Sequence, residues 1–166
     1  MTTAYIGLGA NLGDAEATLK SAVVAMRGLK STRLTALSSL YRSAPVGPVG
    51  QPDYLNAVAQ LETELTPHAL LAALQGIEQA HGRERLVHWG PRTLDLDLLL
   101  FGTDRVVTND LTVPHPELAH RNFVVSPLLE IAPAATLPDG ACLAILPVAR
   151  SEIGLSRLRD GPAWGG

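Results

Sequence analysis

Asp95 and Asp97 stand in the run Leu94-Asp-Leu-Asp-Leu-Leu-Leu-Phe101, whose strict alternation at its start is that of a half-buried strand. Residues two apart on a strand project from the same face, about 6.5 to 7 Å apart, so both carboxylates can reach ions that share one site. Leu94, Leu96 and Leu98 then point the other way, into a core. Paired carboxylates are hard oxygen donors suited to Mg²⁺. The same spacing also fits a strand with one solvated face. The preceding loop carries Arg83, Arg85, His88, Trp89 and Arg92. Magnesium-binding acids beside guanidiniums are what a triphosphate requires: metal bridges its oxygens while arginine neutralises charge on the transferred group. Trp89, between His88 and Gly90 in a polar loop, suits a stacking lid better than a core plug.

A second cluster is Val113-Pro-His115-Pro, followed by Arg121 and Phe123. A lone histidine there is more often structural or surface than catalytic. Tyr54 and Asn56 share one strand face, the first able to stack and the second able to read an amide-like edge.

These residues need elements to hold them. Residues 3–9 read as a strand leading into Gly7-Leu-Gly-Ala-Asn-Leu-Gly13. Asp14 is a helix cap, and Leu19, Ala22, Val23, Met26 and Leu29 form one apolar face. A second strand spans 32–42. Residues 44–52 are broken by three Pro and two Gly, too irregular for an element. From Asp53 to Leu61, alternation places Leu55, Ala57, Ala59 and Leu61 opposite Tyr54, Asn56, Val58 and Gln60. Thr66-Pro67 starts a helix that ends at Gly82 and carries Leu70, Leu71, Leu74 and Ile77 inward, with Gln75 and Glu78 on a neighbouring face. The strand at 94–101 follows, then a short strand at 105–108 and a helix at 123–131. A Pro138-Asp-Gly140 turn precedes a last helical stretch and a tail, about 155–166, expected to fray. The order β-α-β-β-α-β gives an α+β fold, a ferredoxin-like sheet in a three-layer αβα sandwich with C-terminal additions.

The chain has 166 residues, room for one core, and its 46% hydrophobic and 17% charged composition excludes wholesale disorder. A net charge of −3 argues against a nucleic-acid-coating or membrane-surface protein. Eleven of thirteen basic residues are Arg, the planar fork that matches phosphate. Cys142 is the one cysteine, which excludes an internal disulfide, and its apolar surroundings suggest packing. Neither a signal segment nor a long apolar run is present, so a cytoplasmic protein is expected, and a monomer because no long exposed apolar helix face is left over. The glycine spacing G-x-G-x-x-x-G is not a dinucleotide fingerprint, no acid lies between Glu16 and Asp53 to bind a ribose, and neither lysine has a Walker context. A tight structural turn is the simpler reading of that loop.

Five separated segments together resemble one family. His88-Trp-Gly-Pro-Arg-Thr-Leu-Asp-Leu-Asp-Leu-Leu99 is similar to the signature of the 6-hydroxymethyl-7,8-dihydropterin pyrophosphokinases of folate biosynthesis. Tyr5 to Gly13, Ser39-Leu-Tyr-Arg-Ser43, Gln51-Pro-Asp-Tyr-Leu-Asn56 and Leu111-Thr-Val-Pro-His115 resemble it in order and spacing. The resemblance implies transfer of pyrophosphate from ATP to a pterin alcohol. It implies that Asp95 and Asp97 hold two Mg²⁺ ions, and that Arg83 and Arg92 act with them in catalysis. Arg83, Arg85, Trp89, Arg92, His115 and Arg121 would meet the nucleotide, with Gln75, Leu98 and Thr112 around it. The pterin would lie between Tyr54 and Phe123, its edge read by Asn56 and by backbone of Ser43, Ala44 and Val46, under Trp89. The chain departs from the family pattern at His88, where many members have Arg, and at Ala10, Asp110 and Pro116. Two other readings fit the residues alone: a non-catalytic ferredoxin-like binding module, and a Mg²⁺-dependent phosphohydrolase.

Overall fold

The computed structural model describes residues 1–11, 13–44, 53–81, 94–151 and 154–165. Strand β1 (Thr2–Ala10) leads into helix α1 (Ala15–Arg27), capped by Asp14, whose carboxylate accepts from Ala17 N at 3.1 Å. Strand β2 (Thr32–Leu37), β3 (Leu40–Ser43) and β4 (Tyr54–Thr63) follow. Helix α2 (Pro67–Ala80) begins on Thr66, whose hydroxyl accepts from Ala69 N, with Pro67 in the first turn. Then come β5 (Asp95–Phe101), the small hairpin β6 (Val106–Val107) and β7 (Thr112–Val113), helix α3 (Asn122–Ile131) and β8 (Leu155–Arg159).

The main sheet runs β5-β1-β4-β3-β8, with β2 also paired to β4, and every pairing is antiparallel. Its first six elements from β1 to β5, with β2 and β3 as one interrupted strand, give the ferredoxin-like βαββαβ order. Alternation divides its side chains between two cores. Ile6, Leu8, Ala57, Ala59, Leu61, Leu96 and Leu98 pack under α1 and α2, while Val58, Leu99 and Leu100 meet Leu118, Leu128 and Leu143 on the side of α3. Three layers result, as expected.

Four expectations change. The single strand at 32–42 is two strands, because Ser38 turns to local bonds: its hydroxyl donates to Ser39 O and accepts from Val58 N. Much of the glycine segment is no loop, since Gly7 and Gly9 lie inside β1 and only Gly13 takes a left-handed φ, 65°. Cys142 is exposed, because it follows the 138–140 turn in an extended bridge to Thr136 that directs Leu143 inward instead. The C-terminal stretch is helical only in short 3-10 turns, Leu143–Ile145, Pro147–Arg150 and Pro162–Gly165, and its tail carries a strand where fraying was expected. Pro147 and Gly154 interrupt any long helix, and β8 completes the edge of β3, which would otherwise present unpaired backbone. Trp164 then enters the helix-side core and donates from Nε1 to Ser38 O at 2.8 Å.

Helix α3 is held on the sheet at its last turn. Glu130 accepts from Ser39 N, from Ser39 Oγ at 2.6 Å and from Tyr41 Oη at 2.7 Å. Arg157 of β8 donates to the same Tyr41 oxygen.

Candidate active site

Register places the candidate residues in rows across the sheet. Gly9 of β1 pairs with Asp95 on one side and with Asn56 on the other, and Asn56 pairs with Tyr41. Gly7 pairs likewise with Asp97 and Val58. Asp95 and Asp97 therefore share the α3 face of β5, opposite the buried Leu94, Leu96 and Leu98. With strands about 4.8 Å apart, Asp95 and Asn56 stand about 10 Å apart across bare glycine backbone.

The glycines are there for space. Neither Gly7 nor Gly9 has a left-handed φ. A Cβ on Gly9 would lie 3.3 Å from Asn56 Nδ2 and 4.0 Å from Tyr54 Cδ1, filling the gap between the acids and Asn56. A bulge ends this gap below. Ile6 pairs with Leu98 but Tyr5 with Leu100, so Leu99 is extra, and its side chain covers Gly7. Apolar core begins there, which confines the polar face to the end of the sheet bearing Asp95.

The free edge of β5 is held at two points. Buried Glu78 of α2 accepts from Leu96 N at 2.9 Å, between the two acids. His115 N donates to Leu99 O at 3.0 Å and brings the segment after β7 alongside. His115 Nδ1 accepts from Glu117 N, so Nε2 carries the proton of the neutral ring and is a donor at any protonation state. At the start of α3, Arg121 lies over the Phe123 ring.

Ser43 of β3 donates from Oγ to Asn56 Oδ1 at 2.6 Å, and both are buried. Tyr54 pairs with Ser43 on the same face. The sheet thus brings Asp95, Asp97, Asn56, Tyr54 and Ser43 together. Ala44 follows β3 and is exposed. Gln75 and Thr112 are exposed on α2 and β7, on the β5 side of the sheet. Leu98 points into the helix-side core, so a contact to a nucleotide there would come from its backbone. Val46, Arg83, Arg85, His88, Trp89 and Arg92 lie outside the described residues, as does Gly82.

Gly9, the Ser43 hydroxyl and Glu78 were missed as functional candidates. The G-x-G alternation opposite D-x-D is the signal that could have found the first.

The donor set fits magnesium. Two carboxylates of one strand face stand over open backbone, and among the described residues no third His, Cys, Asp or Glu joins them in a cluster. Mg²⁺ is commonly held so, by one or two carboxylates with water and phosphate completing its octahedron.

The chain is 50% identical over 139 residues to the 2-amino-4-hydroxy-6-hydroxymethyldihydropteridine pyrophosphokinase of Haemophilus influenzae, covering 84% of this chain and 87% of that one. It is 47% identical over 154 residues to the protein of that name from Pseudomonas aeruginosa, covering 93% and 95%. Among solved structures, a Plasmodium falciparum HPPK-DHPS triple mutant with pteroate superimposes with a TM-score of 0.71 at 13% identity, over 94% of this chain, which spans 46% of that longer one. Residues 5–133 match the model of the 7,8-dihydro-6-hydroxymethylpterin-pyrophosphokinase family, and the chain belongs to that family.

Proposed function

We propose that this chain moves the pyrophosphoryl group of ATP onto the hydroxymethyl oxygen of 6-hydroxymethyl-7,8-dihydropterin, a step of folate biosynthesis. The observation that carries the reading is the row Asp95, Gly9, Asn56: an acidic pair and a buried amide separated by bare backbone. The substrate oxygen attacks the β-phosphorus in line, the bond from that phosphorus to the α-phosphate oxygen breaks, and AMP leaves.

Asp95 and Asp97 would hold two Mg²⁺ ions, which would supply positive charge to offset that developing on the transferred group. Arg121 and the Nε2 donor of His115 would meet the triphosphate, together with Arg83, Arg85 and Arg92. Gln75, Leu98 and Thr112 would border the nucleotide. Tyr54 and Phe123 would clamp the pterin, with Asn56 and backbone of Ser43, Ala44 and Val46 on its polar edge and Trp89 closing over it. Such a site works by positioning and charge neutralisation. The same reading takes residues 1–166 as one pyrophosphokinase domain, monomeric and cytoplasmic. In its support, the strands from β1 to β5 and β8 join one sheet. No helix among the described residues is long and apolar enough to cross a membrane.

A coupled assay of AMP formation, with and without the pterin alcohol, tests the proposal. AMP that requires the pterin is expected. AMP without pterin would indicate a phosphohydrolase, and no AMP in either case would leave a binding module.

A further inference from the structure

The polar edge of the proposed pterin pocket is set by two buried side chains. Ser43 is 4% exposed and Asn56 7%. A primary amide carries an acceptor and a donor of similar size, and half a turn about its last bond exchanges them. Ser43 removes that freedom by donating to Asn56 Oδ1 at 2.6 Å. With the amide reversed, Ser43 would accept from Nδ2, and its own proton would need a new acceptor; none is present among the described residues.

With Oδ1 held, Nδ2 faces the bare backbone of Gly9, 3.3 Å from where a Cβ would stand. Among the described residues Nδ2 meets no acceptor, although the side chain is more than nine-tenths buried. A buried donor without a partner is costly, so its complement is a ligand atom with lone pairs. The second lone pair of Oδ1 remains for a ligand N–H beside it.

We propose that Ser43 decides which ring edge this pocket accepts: by pinning Asn56 it presents a donor beside an acceptor, selecting a 4-oxo pterin over its 4-amino counterpart. The inference rests on the pterin reading above. A 4-oxo ring offers a carbonyl and a neighbouring N–H, which complement the amide. A 4-amino ring offers an amine and a bare ring nitrogen, so donor meets donor and acceptor meets acceptor. Ser43 Oγ acts here through Asn56 and is a positioning group.

The test is fluorescence titration of the full chain with 6-hydroxymethylpterin and with 2,4-diamino-6-hydroxymethylpteridine. Both titrations are made with Mg²⁺ and a non-hydrolysable ATP analogue, for wild type, Ser43→Ala, Ser43→Thr and Ser43→Cys. The wild type should prefer the oxo ring by at least about 100-fold, as sites with buried polar partners do. Ser43→Ala should narrow that preference by roughly tenfold or more, weakening the oxo ring and strengthening the diamino ring. Ser43→Thr should keep it, and Ser43→Cys, a weak donor of similar size, should fall between. Affinity for the analogue alone should stay within about twofold throughout. A preference unchanged in both Ser43→Ala and Ser43→Cys overturns the proposal, as does a wild type that shows none or binds neither ring. If the wild type prefers the oxo ring but forms no AMP with it, the reaction reading fails while this one stands.

Discussion

The guanidinium of Arg121 lies 5.6 Å from the centre of the Phe123 ring, so the cation assigned to the triphosphate and the ring assigned to the pterin form one stacked unit. Both sit where α3 begins, with Arg121 as its N-cap residue. Whatever draws Arg121 toward phosphate also changes what lies on Phe123. With Arg121 on the triphosphate and Phe123 on the pterin, as proposed, the two subsites would be coupled through this pair.

Arg121→Lys keeps the charge and loses the planar stack. A cation over an aromatic face contributes about 0.5 to 1 kcal/mol at a partly exposed site, so pterin KM should rise roughly two- to fivefold. Arg121→Ala should in addition weaken the nucleotide analogue by about tenfold or more. Steady-state kinetics with both substrates varied reads this, and pterin parameters unmoved in both variants would show that the stack does not link the subsites.

Asp97→Ala removes one of the two carboxylates on the open face. Activity should fall to a few per cent or less of wild type, with the circular dichroism spectrum unchanged because the side chain faces away from the helix-side core. More than a tenth of wild-type activity at saturating Mg²⁺ would sink the metal assignment.

The two strand glycines should differ when given a methyl group. A Cβ on Gly7 meets Leu99 Cδ2 at 3.4 Å, an ordinary contact, whereas on Gly9 it stands 3.3 Å from Asn56 Nδ2 in the space assigned to the pterin. Gly9→Ala should therefore raise pterin KM by about tenfold or more and leave the melting temperature within a few degrees, while Gly7→Ala should bind pterin nearly as the wild type does. Equal effects from both would mean that the patch is not a ligand floor.

Glu78 carries a prediction about the metal strand. Its carboxylate is buried and bonded to Leu96 N, at the edge of β5 and between the two acids. Glu78→Ala leaves that amide without its acceptor, which should cost about 1 to 3 kcal/mol of stability and raise the Mg²⁺ concentration needed for half activity. Glu78→Gln keeps an acceptor for Leu96 and should restore most of the Mg²⁺ response. Denaturant unfolding and a Mg²⁺ titration separate the two effects; an Ala variant whose Mg²⁺ response is normal would make Glu78 purely structural.

Much of this could be read from the chain because one-dimensional periodicity carries it. Alternation placed Asp95 and Asp97 on one face of their strand and Tyr54 and Asn56 on one face of theirs, and the caps Asp14 and Thr66 marked two helix starts. Pairing across strands is what periodicity lacks. That Gly9 lies between Asp95 and Asn56 depends on three strands in register, and the bulge at Leu99 depends on two. The C-terminal strand was misread for the same reason: Leu155–Arg159 becomes a strand because β3 has an open edge, which its own residues do not disclose.

Tyr41 joins that edge to the site. Its hydroxyl donates to Glu130 of α3 and accepts from Arg157 of β8, while its backbone pairs with Asn56. Burial first, then the hydrogen bond to Glu130, pushes its pKa up to about 12 from the usual value of about 10. A raised folded pKa means that the native state holds the proton longer than the unfolded chain. The stabilisation is thus present in full below about pH 10 and is lost as pH rises through about 12. In an absorbance titration at alkaline pH, one tyrosine should ionise near pH 12 in the wild type, and that step should vanish in Tyr41→Phe. At neutral pH the Phe variant should lose about 1 kcal/mol, the worth of a hydrogen bond to a charged partner less the apolar gain. Its alkaline decline should be shallower, because the group responsible for the loss is gone. Because Glu130 fixes the end of the helix that carries Phe123, pterin KM should rise while kcat holds. A Phe variant with wild-type alkaline behaviour would place the late-ionising tyrosine elsewhere in the fold.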